Sequence, residues 1–430
     1  MLFEQITILD KTLTCRSGCY VGTRGDRIAY IGACPPAEDF GLRYNGSGKL
    51  LMTGLINSHS HGPMTLLRGY AENRTLYDWL NNKVFPFEAK LQEEDIYNGA
   101  MLAFAEMLRF GVVSSSEMYY MGKAMGQAVL DSGIRGNISL SVTCFDDSDL
   151  YDLPIYQETM ALLPKLHNAG NGRLKLDLSI HGEYTSTPKV VQQMGKLSKE
   201  TGLITQIHLS ETKQEHTDCI ARHGCTPTAY FAEQGVLDMP VVAAHCVHVT
   251  PEDRKLLAKH GVTAVSCPVS NLKLASGFCK VRSLLDSGVN VAVGTDGPAS
   301  NNSLNLWSDL KLLSILSKAA EEDPTAISPK QSLEMATVNG AKGQGRPDCG
   351  VLRVGNKADL IVLNLDVPWM YPVHSMETNL VYSAQGSDVC LTMVDGVVLY
   401  RDGEYPTLDI EKIQANAAAS TKAVLSRLEE

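Results

Sequence analysis

Two histidines separated by one residue form the clearest candidate site in this sequence. They follow an apolar run over residues 50–56 and belong to the stretch Asn57-Ser58-His59-Ser60-His61-Gly62. Alternate residues of an extended strand point to the same face, so the imidazoles of His59 and His61 can both reach one metal ion. Because paired histidines are also common on protein surfaces, this interpretation needs support from elsewhere in the chain.

Three later apolar runs also end in a residue that can bind a metal. His208 follows residues 204–207, His245 follows residues 241–244, and Asp296 follows residues 289–294. Imidazole and carboxylate groups suit zinc, and three protein ligands with a water are typical of catalytic zinc sites. Such a metal lowers the pKa of its bound water toward about 7, which supplies hydroxide at neutral pH.

Glu211 lies three residues after His208 and could shuttle a proton between that water and a leaving group. Simpler roles exist for single residues, since Asp296 could form a turn and Glu211 could begin a helix. The shared position of all these residues after strand-like runs favours one joint site. Other histidines are predicted to have no ligand role: His167, His216, His223, His248, His260 and His374.

The elements that must position these residues alternate between strand and helix patterns. Helical stretches such as 95–110 and 189–201 separate apolar runs of strand length. This alternation predicts a (β/α)8 barrel, in which the active site lies at the C-terminal ends of the strands. The predicted strands are 51–56, 112–116, 137–143, 174–180, 204–207, 241–244, 262–265 and 289–294.

Both ends of the chain carry a different, short-stranded pattern. Alternating strands occur before residue 50, and near the C-terminus a strand leads into the hairpin signal Asp395-Gly396. We therefore predict one small β-sandwich domain built from residues 1–53 and 349–430, with a closing helix from about residue 407. Residues 54–348 form the predicted barrel.

Composition limits the classes of partner. The chain has 430 residues, a net charge of −10 and a pI near 5.6, which argue against nucleic acid or an anionic membrane as the main partner. No apolar run reaches the roughly 20 residues that a membrane span needs. The 11 cysteines include no Cys-x-x-Cys motif and fit buried thiols in a reducing cytoplasm. We expect a cytoplasmic homo-oligomer that acts on a small molecule.

Longer stretches around the candidate site match a known family. They are residues 57–69, Asp78-Trp79-Leu80, His208-Leu209-Ser210-Glu211-Thr212, Ala244-His245-Cys246, residues 266–274 and Gly294-Thr295-Asp296-Gly297. In these stretches the barrel resembles the amidohydrolase superfamily, and more closely its S-adenosylhomocysteine/5′-methylthioadenosine deaminase family. A small β domain built from both ends of the chain also fits that family.

The resemblance implies a role for each candidate residue. Asp296 would accept a proton from the water, Glu211 would protonate the ring nitrogen beside the attacked carbon, and His245 would orient the water. The strand-four position that carries a carboxylated lysine in many binuclear relatives reads Ile180-His181 here, which favours a single metal. One zinc ion per chain, with iron or manganese as substitutes, would be bound by His59, His61, His208 and Asp296.

The resemblance also implies a nucleoside pocket. His181 would contact the substrate, Trp79 would line the pocket, and Glu88 would hold the ribose hydroxyls. The simpler alternatives are core packing for Trp79 and a solvated helix face for Glu88.

This chain departs from the family pattern in one respect, which concerns the group attached at the 5′ carbon of the substrate. Family members that use S-adenosylhomocysteine place arginines after strand three, but this chain has none between Arg135 and Arg173. That stretch carries aspartates instead, which would repel a carboxylate. The prediction therefore favours a neutral 5′ group, as in 5′-methylthioadenosine, 5′-deoxyadenosine or adenosine, although Arg68, Arg74 or a neighbouring subunit could supply the charge. The aspartates are Asp146, Asp147, Asp149 and Asp152.

The sequence thus predicts a zinc-dependent aminohydrolase of an adenine nucleoside. Three alternatives concern the substrate, the type of zinc deaminase and whether the chain is catalytic at all. The same metal site could act on guanine, a pterin or a triazine. A cytidine-type zinc deaminase is disfavoured because His181-Gly182-Glu183 lacks a following Pro-Cys-x-x-Cys. A non-catalytic scaffold is disfavoured because no candidate metal or proton-transfer residue is missing.

Overall fold

Two β-sheets of eight strands each make up the framework of the computed structural model, which describes residues 1–429. One sheet is formed by the two ends of the chain and the other by its middle. In chain order the strands are β1 (Leu2–Leu9), β2 (Cys15–Arg24), β3 (Arg27–Gly32), β4 (Arg43–Asn45), β5 (Lys49–Thr53), β6 (Leu55–Ser60), β7 (Val112–Tyr119), β8 (Arg135–Leu140), β9 (Leu174–Ile180), β10 (Thr205–Leu209), β11 (Val241–His245), β12 (Thr263–Ser266), β13 (Asn290–Val293), β14 (Leu360–Asn364), β15 (Val389–Val394) and β16 (Val397–Arg401).

The middle sheet is a nearly closed parallel barrel. Strands β6 to β13 follow one another in sequence order, each hydrogen-bonded to the next. The two edges approach after β13, where the Asp296 N–H donates to the His59 carbonyl at 3.0 Å. Gly294 makes this approach feasible, since a Cβ there would lie 2.8 Å from the same carbonyl oxygen. The predicted (β/α)8 barrel is confirmed.

Helices separate the barrel strands and cover the outside of the sheet. Several begin at a Thr-Pro or Ser-Pro pair, such as Thr187-Pro188 and Thr250-Pro251, where the hydroxyl caps the helix and proline occupies its first turn. No helix within residues 1–429 combines the length and apolar character needed to cross a bilayer. The α-helices are Leu76–Trp79, Phe85–Glu88, Glu93–Arg109, Gly122–Ser132, Pro154–Leu166, Ala169–Gly172, Pro188–Thr201, Lys213–His223, Pro227–Glu233, Pro251–Lys259, Pro268–Lys273, Val281–Asp286, Leu306–Ala320, Pro329–Met335, Val338–Gly343, Met376–Tyr382 and Ile410–Glu429.

The first predicted barrel strand, residues 51–56, was wrong as a single element. Its first half belongs to β5, which pairs with β1 and β14 in the other sheet, and its second half begins β6. Gly54 joins the two strands where space is short, because a Cβ there would lie 2.2 Å from Val113 Cγ1. One apolar run therefore serves two sheets. The other seven predicted strands coincide with observed ones, with ends that differ by a few residues.

The second sheet joins both ends of the chain around one core. Its order is β16-β15-β14-β5-β1-β2-β3, with β4 beside β1. Phe3 and Val21 from the N-terminal part pack in the same buried cluster as Val362 and Leu391 from the C-terminal part. Two separate stretches of sequence thus complete one small β structure.

The closing helix Ile410–Glu429 lies against the barrel. Arg427 pairs with Asp95 at 2.9 Å, and Asn98 Nδ2 donates to Ser420 Oγ at 3.0 Å. Its contacts therefore tie the C-terminal segment to the barrel helix Glu93–Arg109. The division into residues 1–53, 54–348 and 349–430 stays a prediction.

Candidate active site

The four predicted metal ligands meet at the C-terminal ends of the barrel strands. His59 lies at the end of β6 and His61 just after it, His208 lies in β10, and Asp296 follows β13. His61 Nε2 is 3.3 Å from both His208 Nε2 and Asp296 Oδ1. His59 Nε2 is 3.6 Å from the same Asp296 oxygen. Residues far apart in sequence therefore direct nitrogen and oxygen lone pairs toward one small region.

Backbone carbonyls fix the orientation of two of these imidazoles. Nδ1 of His61 lies 2.5 Å from the Met118 carbonyl, and Nδ1 of His208 lies 2.5 Å from the His181 carbonyl. A proton on each Nδ1 satisfies the carbonyl and leaves Nε2 free to bind a metal. Nε2 of His59 is buried without a hydrogen-bond partner among residues 1–429. These donors fit a divalent metal such as zinc.

The protonation states also suit metal binding. Burial lowers the pKa of His59 to about 4 and holds the pKa of His208 well below its ordinary value, so both rings are neutral at pH 7. Burial acts to raise the pKa of Asp296, but the adjacent His59 and His61 hold that pKa well below its usual range. His59 and His208 are therefore neutral and Asp296 is ionised. Burial acts to lower the pKa of His61, but the adjacent Asp296 raises that pKa above its ordinary value.

Two further predicted catalytic residues lie beside this cluster. His245 ends β11, and its Nε2 lies 3.8 Å from Glu211 Oε2. Both side chains are buried, and burial raises the pKa of the Glu211 carboxyl, which suits a group that holds a proton until it is needed. His245 also forms a potential ligand group with His59 and His208, in which the ligand atoms lie within 4.8 Å of one another.

Backbone strain is concentrated at these positions. Ser210, His245, Cys246 and Asp296 all have positive φ angles, between +46° and +74°, although none is glycine. Such conformations persist only where surrounding contacts hold them, and they are frequent at functional sites.

The predicted pocket residues line one cavity with the cluster. Trp79, Glu88 and His181 all contact this cavity, which also includes Glu211 and Asp296. Oε1 of Glu88 is buried without a hydrogen-bond partner among residues 1–429, and burial raises the pKa of this carboxyl to about 7. The alternative of a solvated helix face for Glu88 is therefore wrong.

Sequence reasoning missed several residues around the cavity. The Tyr119 hydroxyl lies in the lining, is buried and has no hydrogen-bond partner within residues 1–429. Glu117, which lies in β7, accepts the Gly62 N–H at 2.6 Å and so supports the turn after His61. Thr185 Oγ1 lies 3.1 Å from His181 Nδ1 and orients that ring. Glu117 directly follows the predicted strand 112–116, which is a signal in the sequence, whereas Tyr119 and Thr185 are uncharged and gave none.

A wider groove of about 950 Å³ continues outward from the cavity and is called here the outer groove. Phe145 lines it, whereas Asp146 and Asp147 are exposed and lie outside it. Asp149 likewise lies outside and pairs with Lys189 at 3.1 Å. Whether these acids lie near the 5′ group of the substrate stays a prediction.

The outer groove contains cations, most of which are already paired. Arg74 lies 2.6 Å from Asp78, Arg222 lies 2.7 Å from Glu183, and Lys273 lies 2.6 Å from Glu72. Lys213 also lines the groove and forms no ion pair with any residue of the described chain. The charge available for a substrate carboxylate is thus limited.

Comparisons with known proteins agree with this geometry. A 5-methylthioadenosine/S-adenosylhomocysteine deaminase from Thermoanaerobacter pseudethanolicus is 37% identical over 404 residues, 94% of each chain. A 5′-deoxyadenosine deaminase from Methanothermobacter thermautotrophicus is 37% identical over 395 residues, 92% of each chain.

A solved structure extends the similarity to the complete fold. The crystal structure of a zinc-bound adenosine deaminase from Xanthomonas campestris superposes with a TM-score of 0.91 at 30% identity, covering 99% of this chain and 98% of that one. The pattern of the amidohydrolase family matches residues 50–399. This chain therefore belongs to the amidohydrolase family, and its predicted resemblance to the 5′-methylthioadenosine/S-adenosylhomocysteine deaminases is confirmed.

Proposed function

We propose that this protein is a zinc-dependent hydrolytic deaminase of an adenine nucleoside, which releases ammonia and the corresponding inosine analogue. The observation that carries this proposal is the meeting of His59, His61, His208 and Asp296 beside a buried acid, Glu211, in one cavity. Relatives named as deaminases of adenine nucleosides support the choice of substrate.

The metal site is the first part of the proposal. One zinc ion per chain is bound by His59, His61, His208 and Asp296, and iron or manganese can substitute on the same ligands. When bound, the metal supplies an acidified water at neutral pH.

Three side chains move or hold protons in the reaction. Asp296 accepts a proton from the water as its oxygen adds to C6 of the adenine ring. Glu211, whose pKa is raised by burial, delivers a proton to the neighbouring ring nitrogen. His245 donates a hydrogen bond from Nε2 to the added oxygen. One of the water's protons passes to the amino group, which leaves as ammonia while C6 becomes a carbonyl carbon, and the other proton returns to Glu211.

The cavity wall selects the nucleoside. Trp79 offers an apolar surface, His181 contacts the base, and the unpaired Oε1 of Glu88 accepts hydrogen bonds from the ribose hydroxyls. We propose a neutral 5′ group, as in 5′-methylthioadenosine, 5′-deoxyadenosine or adenosine, since Arg74, Arg222 and Lys273 in the outer groove are already paired and Lys213 alone would have to balance a carboxylate. S-adenosylhomocysteine is a poorer substrate in this proposal.

Ammonia release tests the function directly. A panel should contain the three nucleosides, S-adenosylhomocysteine, guanine, a pterin and an amino- or chlorotriazine. We expect the highest kcat/KM for an adenine nucleoside and about one zinc per chain by metal analysis. Turnover of guanine, a pterin or a triazine without turnover of nucleosides would replace this proposal by the alternative heterocycle on the same metal.

Cellular location and assembly belong to the same proposal. All 11 cysteines are free, which fits a reducing cytoplasm. Homo-oligomerisation stays a prediction, which light scattering of the purified protein tests.

A further inference from the structure

The segment that follows β12, residues 270–276, contributes no metal ligand and no proton-transfer group to the proposed reaction. It nevertheless lies directly behind the site, and Ser270 and Asn271 are almost completely buried. Three of its polar side chains each contact a different proposed catalytic residue.

Ser270 contacts the carboxylate of Asp296. Its hydroxyl donates to Asp296 Oδ2 at 2.5 Å, and Ser300 Oγ donates to the same oxygen at 3.2 Å. The other carboxylate oxygen, Oδ1, faces the histidines. Ser270 thereby fixes the rotation of the carboxylate, with one oxygen on the hydroxyls and one toward the metal site.

Asn271 contacts the ring of His245. Its Nδ2 lies 3.0 Å from His245 Nδ1. An amide NH₂ group can only donate, so this contact is a hydrogen bond when Nδ1 is unprotonated. A neutral ring with an unprotonated Nδ1 carries its proton on Nε2. That nitrogen lies 3.8 Å from Glu211 Oε2 and faces the cavity. Asn271 thus sets the tautomer in which His245 can donate toward the substrate.

Ser276 contacts the third residue, Glu211. Its hydroxyl donates to Glu211 Oε1 at 3.3 Å, which leaves Oε2 on the side of His245. Both backbone polar groups of Ser276 form hydrogen bonds. Its N–H donates to the Asn271 carbonyl at 2.8 Å, and its carbonyl accepts from His248 Nε2 at 2.8 Å.

His248 connects this segment to the neighbouring loop. Its backbone N–H donates to the Ser210 carbonyl at 2.9 Å, so the loops after β10, β11 and β12 are joined in one network. A buried network of this kind orients the side chains that it contacts.

We propose that residues 270–276 form a positioning unit for the three proton-handling side chains, in which Asn271 holds His245 as the tautomer protonated on Nε2. The inference rests on the proposed function for the chemistry that His245 performs. Ser270, Asn271 and Ser276 are positioning residues, because none of them needs to touch the substrate.

The tautomer is measured without any substrate. In zinc-loaded protein labelled with 15N-histidine, we expect two-bond 15N–1H correlations to show His245 with an unprotonated Nδ1 and a protonated Nε2. The signal is assigned by its loss in His245→Gln. In Asn271→Asp a carboxylate that can only accept faces Nδ1, so that nitrogen should become protonated. A protonated Nδ1 in the wild type, or an unchanged pattern in Asn271→Asp, would overturn the inference.

Kinetics provides the second measurement. Asn271→Asp should lower kcat by about 10- to 100-fold, the usual range for residues that orient a metal-site group, while KM and zinc content stay close to wild type. Asn271→Leu has similar volume and no polar group, and should lower kcat as well if the aspartate variant does not accumulate. Ser270→Ala and Ser276→Ala should give smaller losses of kcat.

A matched control is Ser317→Ala, which removes a buried hydroxyl that bonds only within the helix Leu306–Ala320. Its kcat should equal that of the wild type. Equal kcat in both Asn271 variants and the wild type would refute the positioning role. Failure of the wild type to deaminate any nucleoside would instead refute the proposed function, and the tautomer measurement would still stand.

Discussion

The barrel contains two buried polar clusters, and only one of them has the features of an active site. The first is the metal cluster of His59, His61, His208 and Asp296 at the C-terminal ends of the strands. The second lies toward the N-terminal ends and is called here the polar plug. It consists of Asn137, Asp177, Gln206, Gln344 and Arg346, all buried.

The two clusters differ in how their polar atoms are satisfied. In the polar plug, Asp177 accepts from Asn137 Nδ2 and Gln206 Nε2 at 3.0 Å each. Arg346 donates to Asn137 Oδ1 and to the carbonyls of residues 136, 172 and 173. Among the five plug residues, only Gln206 Oε1 is buried without a partner. The plug is thus a nearly complete network.

Around the metal cluster, several polar atoms lack a partner. Glu88 and Tyr119 line the cavity, and Oε1 of Glu88 and the Tyr119 hydroxyl are buried without a hydrogen-bond partner in residues 1–429. Nε2 of His59 is likewise buried without one. A shifted pKa does not separate the clusters, since burial raises the pKa of Asp177 to about 6 and that of Glu88 to about 7. Unpaired polar atoms around a cavity therefore mark the functional end of this barrel, whereas burial and a raised pKa occur at both ends.

The largest effect on activity is expected for Asp296→Asn. The amide cannot accept the proton and is a poorer metal ligand, so kcat should fall by about 10⁴-fold. The free energy of unfolding should stay the same or increase, because functional sites often cost stability. Steady-state ammonia release and urea denaturation measure the two quantities. A large loss of stability in this variant would mean that the metal cluster is structural, as the plug is.

Glu211→Gln should lower kcat by about 10²- to 10³-fold, because the amide can no longer deliver a proton to the ring nitrogen. The zinc content should remain that of the wild type, since Glu211 is not a proposed ligand. Metal analysis and single-turnover kinetics on the same preparation check both expectations. Nearly full activity in this variant would assign proton delivery to another residue.

Arg346→Met should have the opposite pattern, with a change in stability and none in chemistry. The substitution removes the donor to Asn137 Oδ1 and to the carbonyls of residues 136 and 172, whereas the Arg173 carbonyl keeps the Gly136 N–H. This loss should lower the free energy of unfolding by about 3 kcal/mol. kcat and zinc content should be unchanged in the folded protein. Urea midpoints together with kinetics below the transition test this.

The matched control is Arg24→Met, at an exposed arginine that lies 2.8 Å from Glu38. Exposed ion pairs contribute about 0–1 kcal/mol, so this variant should unfold like the wild type. If Arg346→Met lowered kcat without loss of stability, the plug would have a catalytic influence and the contrast between the clusters would fail.

The sequence predicted the metal cluster well because its members have unusual chemistry and regular positions. His59, His208 and Asp296 stand at strand ends, and parallel strands of a barrel bring their C-terminal ends to one face. The supporting groups could not be predicted in the same way. Asn271 and Ser276 are uncharged, and their partners are set by the course of loops between strands. The prediction of one strand over residues 51–56 was wrong for a related reason, since an apolar run does not reveal which of two sheets it joins.

The smallest expected effect concerns Glu88 and the nucleoside. In Glu88→Gln the kcat/KM for a nucleoside should fall by about 10- to 100-fold, because a hydrogen bond to a charged group contributes about 1.5–3 kcal/mol. The inhibition constant of free adenine, which has no ribose, should not change. Equal weakening of nucleoside and adenine would remove the ribose contact from the proposal.

The pH dependence of kcat/KM then separates Glu88 from Asp177, although burial raises the pKa of both. Burial raises the Glu88 pKa to about 7, so the carboxylate that accepts ribose hydroxyls forms as pH rises through 7. The kcat/KM for a nucleoside should therefore rise across this range in the wild type, and Glu88→Gln should abolish that rise. Asp177→Asn should leave the profile unchanged, since Asp177 bonds only to the plug and faces no substrate. If Asp177→Asn altered the pH profile of kcat/KM, the polar plug would be electrostatically coupled to the metal cluster. The plug could then no longer be described as purely structural.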